Sequence, residues 1–297
     1  MKNLTILLAV ILISTSSYGK GKKHIYTDTT FNHIEFSEIT FTVVKKTNDT
    51  LEIEGILKQK TIIDGIPCYG NISFTKDWKP KYFTLADAHT FGENTFPKDT
   101  YIGIKIDRSS LKAKSYFVVS NAGETVNTCR FTSNQLINGL SCDGEGVIFT
   151  TDWNLRICIL GEDDTIAGNL LKKGTLTVFG KSGSFSIYCL YDPIIQGYHC
   201  SGTGYASGIW MGGGGIRFYP SGQLKYCQPV DDIVEVQGVY CKPSSTRGGI
   251  WFYESGKLKR CTSAKDQTID GVLHKKKYTL KFDEEGNITE SYKDKFF

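Results

Sequence analysis

The sequence predicts an all-β protein of tandem β-hairpin repeats, roughly 30 residues each, stacked into an elongated twisted antiparallel sheet. Three observations carry that expectation. IRFYPSGQLKYC (216–227) and IWFYESGKLKRC (250–261) align without a gap 34 residues apart. Decayed copies follow the same frame: VSNAGETVNTC (119–129), VIFTTDWNLRIC (147–158), FGKSGSFSIYC (179–189) and LKFDEEGNI (280–288). No window sustains apolar residues at i, i+3, i+4 and i+7, so helix content should be very low.

Within one unit, I-x-F alternates as a strand should. Tyr-Pro-Ser-Gly or Tyr-Glu-Ser-Gly then turns the chain, glycine supplying the positive φ that closes a hairpin. Leu-x-x-Cys returns as the second strand. In VIFTTDWNLRIC, Trp153 stands in the glycine slot. A second element recurs between these: NQLING (134–139), DDTIAG (163–168), DPIIQG (192–197) and DQTIDG (266–271), with partial versions at IDGIPC (63–68) and DAHTFG (87–92). It reads as a further turn with its isoleucine pointing inward. A parallel β-helix with one coil per unit is the alternative; hairpin turns inside the unit favour the antiparallel form.

The N-terminus is of another kind. Lys2 precedes an apolar run of ten residues, Leu4 to Ile13, and Ser17-Tyr18-Gly19 offers small residues for cleavage after Gly19. Residues 1–19 therefore read as a signal peptide, 20–49 as strands leading into the array, and 50–297 as the array itself, with a Gly-rich insertion at 201–215. Ten apolar residues are too few to span a bilayer, which takes about 20, and no other stretch is longer. The expectation is an exported chain that does not span the membrane, destined for the periplasm, cell surface or medium. Basic and acidic residues number 35 and 31 and are scattered, so nothing points to nucleic acid.

The F-x-x-x-G-x-L core with a later I-x-G resembles MORN-type hairpin repeats, and the whole is similar to exported bacterial repeat proteins. The unit is longer than the MORN pattern, carries recurrent cysteines and lacks a regular Tyr-x-Gly opening. The resemblance implies a binding or scaffolding surface and supplies no catalytic residues.

All nine cysteines occupy one of two repeat positions. Position A ends the second strand (Cys129, Cys158, Cys189, Cys227, Cys261); position B follows Gly-x-x (Cys68, Cys142, Cys200, Cys241). Export would permit disulfides, and three units hold both positions, suggesting Cys129–Cys142, Cys189–Cys200 and Cys227–Cys241. An odd count leaves at least one thiol over. The other reading is a column of buried thiols packing as small apolar residues.

Few residues suggest chemistry. Gly174-TLTVF-Gly180-Lys181-Ser182 has five residues between its glycines and no following helix, so it reads as a turn and not as a phosphate loop. The adjacent carboxylates Asp163, Asp164, Asp231 and Asp232 are the ones to test for glycoside hydrolysis, but their recurrence in register suits acids that accept backbone hydrogen bonds in turns. The five histidines (His24, His33, His89, His199, His274) show no metal-ligand spacing, and no cofactor is implied. In the insertion, Tyr205, Trp210 and Met211 could contact a sugar ring or a protein. The sequence thus favours a non-catalytic repeat protein presenting an extended surface to a protein or glycan at the cell envelope. A carbohydrate-active enzyme on a β-helix and a structural element of an envelope layer or appendage are the alternatives.

Overall fold

The computed structural model describes residues 21–43, 50–107, 125–145, 147–202, 205–206, 209–210, 215–243 and 249–293. The expected leader (1–19) and Met211 lie outside them. No helix occurs among the described residues, hence none long and apolar enough to cross a membrane.

In chain order the strands are β1 (Lys22–Phe31), β2 (Ile34–Val43), β3 (Thr50–Leu57), β4 (Thr61–Ile63), β5 (Ile66–Phe74), β6 (Pro80–Leu85), β7 (His89–Phe91), β8 (Asn94–Phe96), β9 (Tyr101–Asp107), β10 (Thr125–Arg130), β11 (Gln135–Ile137), β12 (Leu140–Cys142) and β13 (Val147–Phe149). They continue as β14 (Leu155–Ile159), β15 (Asp164–Ile166), β16 (Asn169–Leu171), β17 (Leu176–Phe179), β18 (Phe185–Tyr188), β19 (Ile194–Ile195), β20 (Tyr198–His199), β21 (Tyr205–Ala206), β22 (Ile209–Trp210) and β23 (Ile216–Phe218). The last are β24 (Leu224–Cys227), β25 (Val234–Val236), β26 (Val239–Lys242), β27 (Ile250–Phe252), β28 (Leu258–Ser263), β29 (Gln267–Ile269), β30 (Val272–His274), β31 (Tyr278–Phe282) and β32 (Ile288–Lys293).

The chain forms two compact units, Met1–Asn138 with Gly144–Leu155, and Gly139–Asp143 with Arg156–Phe297. In the first, the sheet order is β1-β2-β3-β5-β6-β9-β10-β13, with β4 folded onto β5 and β7–β8 a separate small hairpin. In the second it is β14-β17-β18-β23-β24-β27-β28-β31-β32. There β25–β26 joins β28, while β15–β16, β19–β20, β21–β22 and β29–β30 are small hairpins. Each of these ladders is antiparallel, so the architecture is one of successive hairpins and not a parallel β-helix.

Two turn types alternate. The small hairpins close through Asp64-Gly65, Ala167-Gly168, Gln196-Gly197, Gln237-Gly238 and Asp270-Gly271, both residues of each pair having positive φ, the demand of a type I′ turn. The larger hairpins turn over four residues: Gly222 N–H donates to Tyr219 O and Tyr219 N–H to Gln223 O. A register shift follows at Arg217/Phe218, repeated at Trp251/Phe252 and Lys281/Phe282. This is a bulge with a left-handed residue at its corner. Gly222 and Gly256 fill that corner at φ 84° and 81°, whereas Trp78 and Trp153 fill it at 60° and 64°.

Alternation buries one face of each sheet. In β23, Ile216 and Phe218 are buried and Arg217 is exposed. Phe218 stacks on its cross-strand partner Phe185 with ring centroids 4.4 Å apart, and burying such a ring contributes about 2 kcal/mol. Amide side chains hold small hairpins to large ones. Gln196 Nε2 donates to Gly222 O at 2.8 Å and its Oε1 accepts from Leu224 N–H at 3.1 Å. Gln237 repeats both bonds with Gly256 O (3.0 Å) and Leu258 N–H (2.9 Å). In the first unit Asn94 Nδ2 donates to Trp153 O at 3.0 Å. Each clip satisfies backbone groups exposed by the sharp corner.

Candidate functional site

The side of the second unit's sheet that carries Arg217 presents a row of directly opposed residues, of which Tyr226 is itself buried. Arg217 pairs with Tyr226, Tyr226 with Trp251, Trp251 with Arg260, Arg260 with Lys281, and Lys281 with Glu290. Antiparallel pairing in fixed register makes one repeat position a continuous stripe. The Arg217 guanidinium lies 5.4 Å from the Tyr226 ring centre and 5.6 Å from that of Trp251, and those rings are 4.7 Å apart. Arg260 and Lys281, with Tyr219, Tyr253 and Trp251, line a groove of about 410 Å³. Lys225 sits over Tyr219 and Lys259 over Tyr253, at 4.9 and 4.6 Å. Each tyrosine is fixed by the next hairpin: Tyr219 Oη donates to Phe252 O at 3.0 Å and Tyr253 Oη to Phe282 O at 2.7 Å. Burial raises the Tyr219 and Tyr226 hydroxyl pKa values, so both stay protonated donors.

Two features of this stripe lack a charged or hydrogen-bonding partner among the described residues. Among the described residues, no ion pair engages Arg217 or Arg260, whereas Lys281 is held by Glu290 at 2.9 Å. The Trp251 indole N–H is buried without an acceptor among the described residues, which costs free energy wherever it persists.

The corresponding stripe in the first unit has the opposite chemistry: Thr40, Glu54, Ser73, Tyr82, Gly103 and Thr128 oppose one another in turn. Glu38, Glu54, Ser73, Tyr82 and Tyr101 line a groove of about 300 Å³. Tyr82 stacks on Tyr101 at 6.1 Å, and Gly103 allows this, since a Cβ there would stand 2.9 Å from the Tyr82 ring.

The residues singled out from the sequence fall elsewhere. Asp163 Oδ1 accepts from Lys173 N–H at 2.9 Å and its Oδ2 from Lys172 Nζ at 2.7 Å. Asp266 repeats the arrangement with Lys276 N–H (2.7 Å) and Lys275 Nζ (3.0 Å). Asp192 accepts from Gly202 N–H at 2.7 Å. The recurrent acid thus ties its hairpin to the backbone ten residues on. Lys172 holds the Asp163 carboxyl below the usual range, as the Lys276 N–H and then Lys275 hold that of Asp266. Asp164 accepts from Ser141 N–H at 3.2 Å and Thr165 N–H at 2.7 Å. Asp231 lies 3.9 Å from His199 Nδ1, and Asp232 is exposed. Tyr205 and Trp210 are cross-strand partners in the β21–β22 hairpin.

None of the nine cysteines is in a disulfide; all are buried thiols. The expected intra-unit partners Cys200 and Cys227 are the least of the influences on the Cys189 and Cys241 thiols; the strongest thiol–thiol effects run between repeats. The Cys142 thiol raises the pKa of Cys158, that of Cys200 raises Cys227, and that of Cys261 raises Cys241. A position B thiol therefore meets the position A thiol of the following repeat, because the small hairpin that carries B leans forward onto the next large one. Burial pushes the Cys68 and Cys189 thiols up to about 12. No group of three or more His, Cys, Asp or Glu that could hold a metal ion occurs among the described residues.

The stripe itself was not singled out in the sequence. Its signal was present in the middle residues of IRF, IWF and LKF and in the Lys-Tyr and Lys-Arg pairs before Cys227 and Cys261. No protein family matches the chain, and neither does any curated protein or solved structure.

Proposed function

We propose that this chain is an exported, non-catalytic repeat protein whose second unit binds an anionic glycan along the Arg217–Tyr226–Trp251–Arg260–Lys281 stripe. The observation that carries the reading is two arginines that make no ion pair among the described residues, Arg217 over the Tyr226 and Trp251 rings and Arg260 in the aromatic groove. Guanidinium groups suit carboxylate or sulfate bidentately, and flat rings suit the apolar faces of sugars. The MORN-type resemblance supports a binding surface in general. The turn hydrogen bonds of Asp163 and Asp164 give those carboxylates a structural occupation and favour this reading over glycoside hydrolysis.

The test is titration of the mature protein with a sulfated or uronate-rich polysaccharide and, in parallel, a neutral one. Binding is expected for the anionic polymer and should weaken with salt. Arg217→Ala and Trp251→Ala should each weaken it about tenfold, with Asp163→Ala unchanged in affinity. Equal retention of the neutral polymer, or binding indifferent to both substitutions, would reject the stripe as the site. Chain cleavage lost in Asp164→Ala would establish the enzyme reading instead.

A further inference from the structure

The strongest regularity outside the stripe is the cysteine column. In three places the ladder partner of a position B cysteine lies two residues past a position A cysteine: Cys142 opposes Leu160, Cys200 opposes Pro229, and Cys241 opposes Ser263. Residues two apart on a strand share a face, so Cys158, Cys227 and Cys261 are the diagonal neighbours of Cys142, Cys200 and Cys241. Cys200 and Cys241 donate their own S–H to the carbonyls of Tyr198 and Val239, at 3.4 and 3.6 Å. Their sulfur is left to accept from the thiol opposite. Cys158, Cys200, Cys227 and Cys241 are fully buried at 0% exposure, as is Cys142, and Cys261 is at 1%.

The same slots hold other residues where a cysteine is missing. Cys68 opposes Leu85, which puts Phe83 in the position A slot. Leu171 holds the position B slot ahead of Cys189. At the end of the array His274 Nδ1 and Ser291 Oγ replace the two thiols and hydrogen-bond at 2.9 Å.

We propose that Cys142–Cys158, Cys200–Cys227 and Cys241–Cys261 close as disulfides, each joining one repeat to the next at three of the junctions, when the chain folds in the presence of a disulfide oxidant. The physiological setting rests on the export reading; the pairing rests on the register alone. The oxidant is a small-molecule disulfide or a disulfide-donating oxidoreductase. One cysteine thiolate attacks a sulfur of the oxidant, breaking its S–S bond and forming a mixed disulfide. The neighbouring cysteine loses its proton, attacks the protein sulfur of that mixed disulfide and expels the second oxidant thiolate. Two protein thiols lose two electrons and two protons; the oxidant gains them as two thiols. The S–S bond needs sulfurs about 2 Å apart and Cα atoms within about 7 Å, so closing it draws these diagonal neighbours together. The neighbouring sulfur and then burial raise the pKa of Cys158, Cys227 and Cys241, and thiolate is the reactive form. Oxidation therefore belongs to folding, while the hairpins are still open.

The test is refolding of the denatured, reduced mature chain in a mixture of reduced and oxidised glutathione, then alkylation and peptide mapping without reductant. The expected cross-links are 142–158, 200–227 and 241–261, each two hydrogens lighter than its separate peptides, with Cys68, Cys129 and Cys189 alkylated. Reductant should lower the thermal midpoint. Cys241→Ser should remove one cross-link, leave the other two and expose Cys261 to alkylation. If that variant does not fold, the map of the unaltered chain decides alone. Nine alkylated cysteines, or cross-links at 129–142, 189–200 and 227–241, would overturn the proposal. Bridges formed in glutathione but absent from protein isolated from its source would uphold the pairing and count against export.

Discussion

The two units answer the same backbone demand in opposite ways. At the corner of each large hairpin the chain needs a positive φ. The second unit places Gly222 and Gly256 there, and the first places Trp78 and Trp153. A left-handed conformation costs a non-glycine residue about 1–2 kcal/mol. Trp153 offsets this by stacking on Phe91 at 4.4 Å and by contacts with Phe96 and Phe149 at 5.5 and 5.7 Å. Trp78 does the same against Phe74, Phe41 and Phe31 at 5.3, 6.1 and 6.5 Å. A corner can thus be built by removing the side chain that objects, or by giving it enough to hold.

The largest effect expected from this contrast is at Gly222. A Cβ there would lie 2.2 Å from Ala167 O and 2.6 Å from Ala167 Cβ, on top of the positive φ. Gly222→Ala should therefore lose about 3 kcal/mol in urea unfolding. At Gly256 the nearest atoms belong to the flexible end of Gln223, at 3.3 Å and beyond, and Gly256→Ala should lose about 1–2 kcal/mol. Equal losses would show that the glycines serve φ alone, without close approach. A smaller net effect is expected for Trp153→Gly, in which relief of strain opposes loss of ring packing: about 1 kcal/mol destabilising. A neutral or stabilising outcome would mean that the aromatic cluster contributes nothing and that the two corners are interchangeable.

The smallest effect is electrostatic and belongs to the second unit. Asp163 and Asp266 have carboxyl pKa values lowered in the fold by their lysine and backbone N–H donors. A depressed folded value gives stability that is present above the unfolded carboxylate pKa, about 4, and is lost as pH falls through the folded value. Unfolding midpoints measured from neutral pH down to the acid range should fall less steeply in Asp163→Asn/Asp266→Asn than in the unaltered chain. An unchanged slope would remove these acids from the account of how the small hairpins are tied down.

Much of this fold is legible in the sequence because hairpin turns are chemically explicit. Tyr-Pro-Ser-Gly, Tyr-Glu-Ser-Gly and I-x-G announce their positive φ, and the I-x-F alternation announces strands. Trp153 could be placed in the glycine slot by alignment, although its aromatic partners Phe91 and Phe96 are some sixty residues away and invisible to any local pattern. Trp78 lacks a clear copy of the frame around it and was not placed. The two cysteine positions were legible too, but their partnership was not. A repeat gives the position of B and A within a unit; whether B meets its own A or the next is a matter of which way the small hairpin leans. The recurrent acids read correctly as turn residues because their function is local, ten residues along the chain. The basic and aromatic stripe escaped notice because it is made by one residue from each strand, and its meaning appears only when register brings those residues side by side.

That register also works as a ruler. Neighbouring strands lie about 4.8 Å apart, so the backbones of Arg217 and Arg260, three strands from each other in the stripe, are about 14 Å apart. Lys281 follows one strand later. A small anion can satisfy one of these cations at a time; only a chain with charges repeated over that span can satisfy several without paying again for its own immobilisation. Valency would then set the selectivity of the surface: polymer length would matter more than the identity of any single sugar, with a sharp gain in affinity once the oligomer reaches from the first arginine to the second.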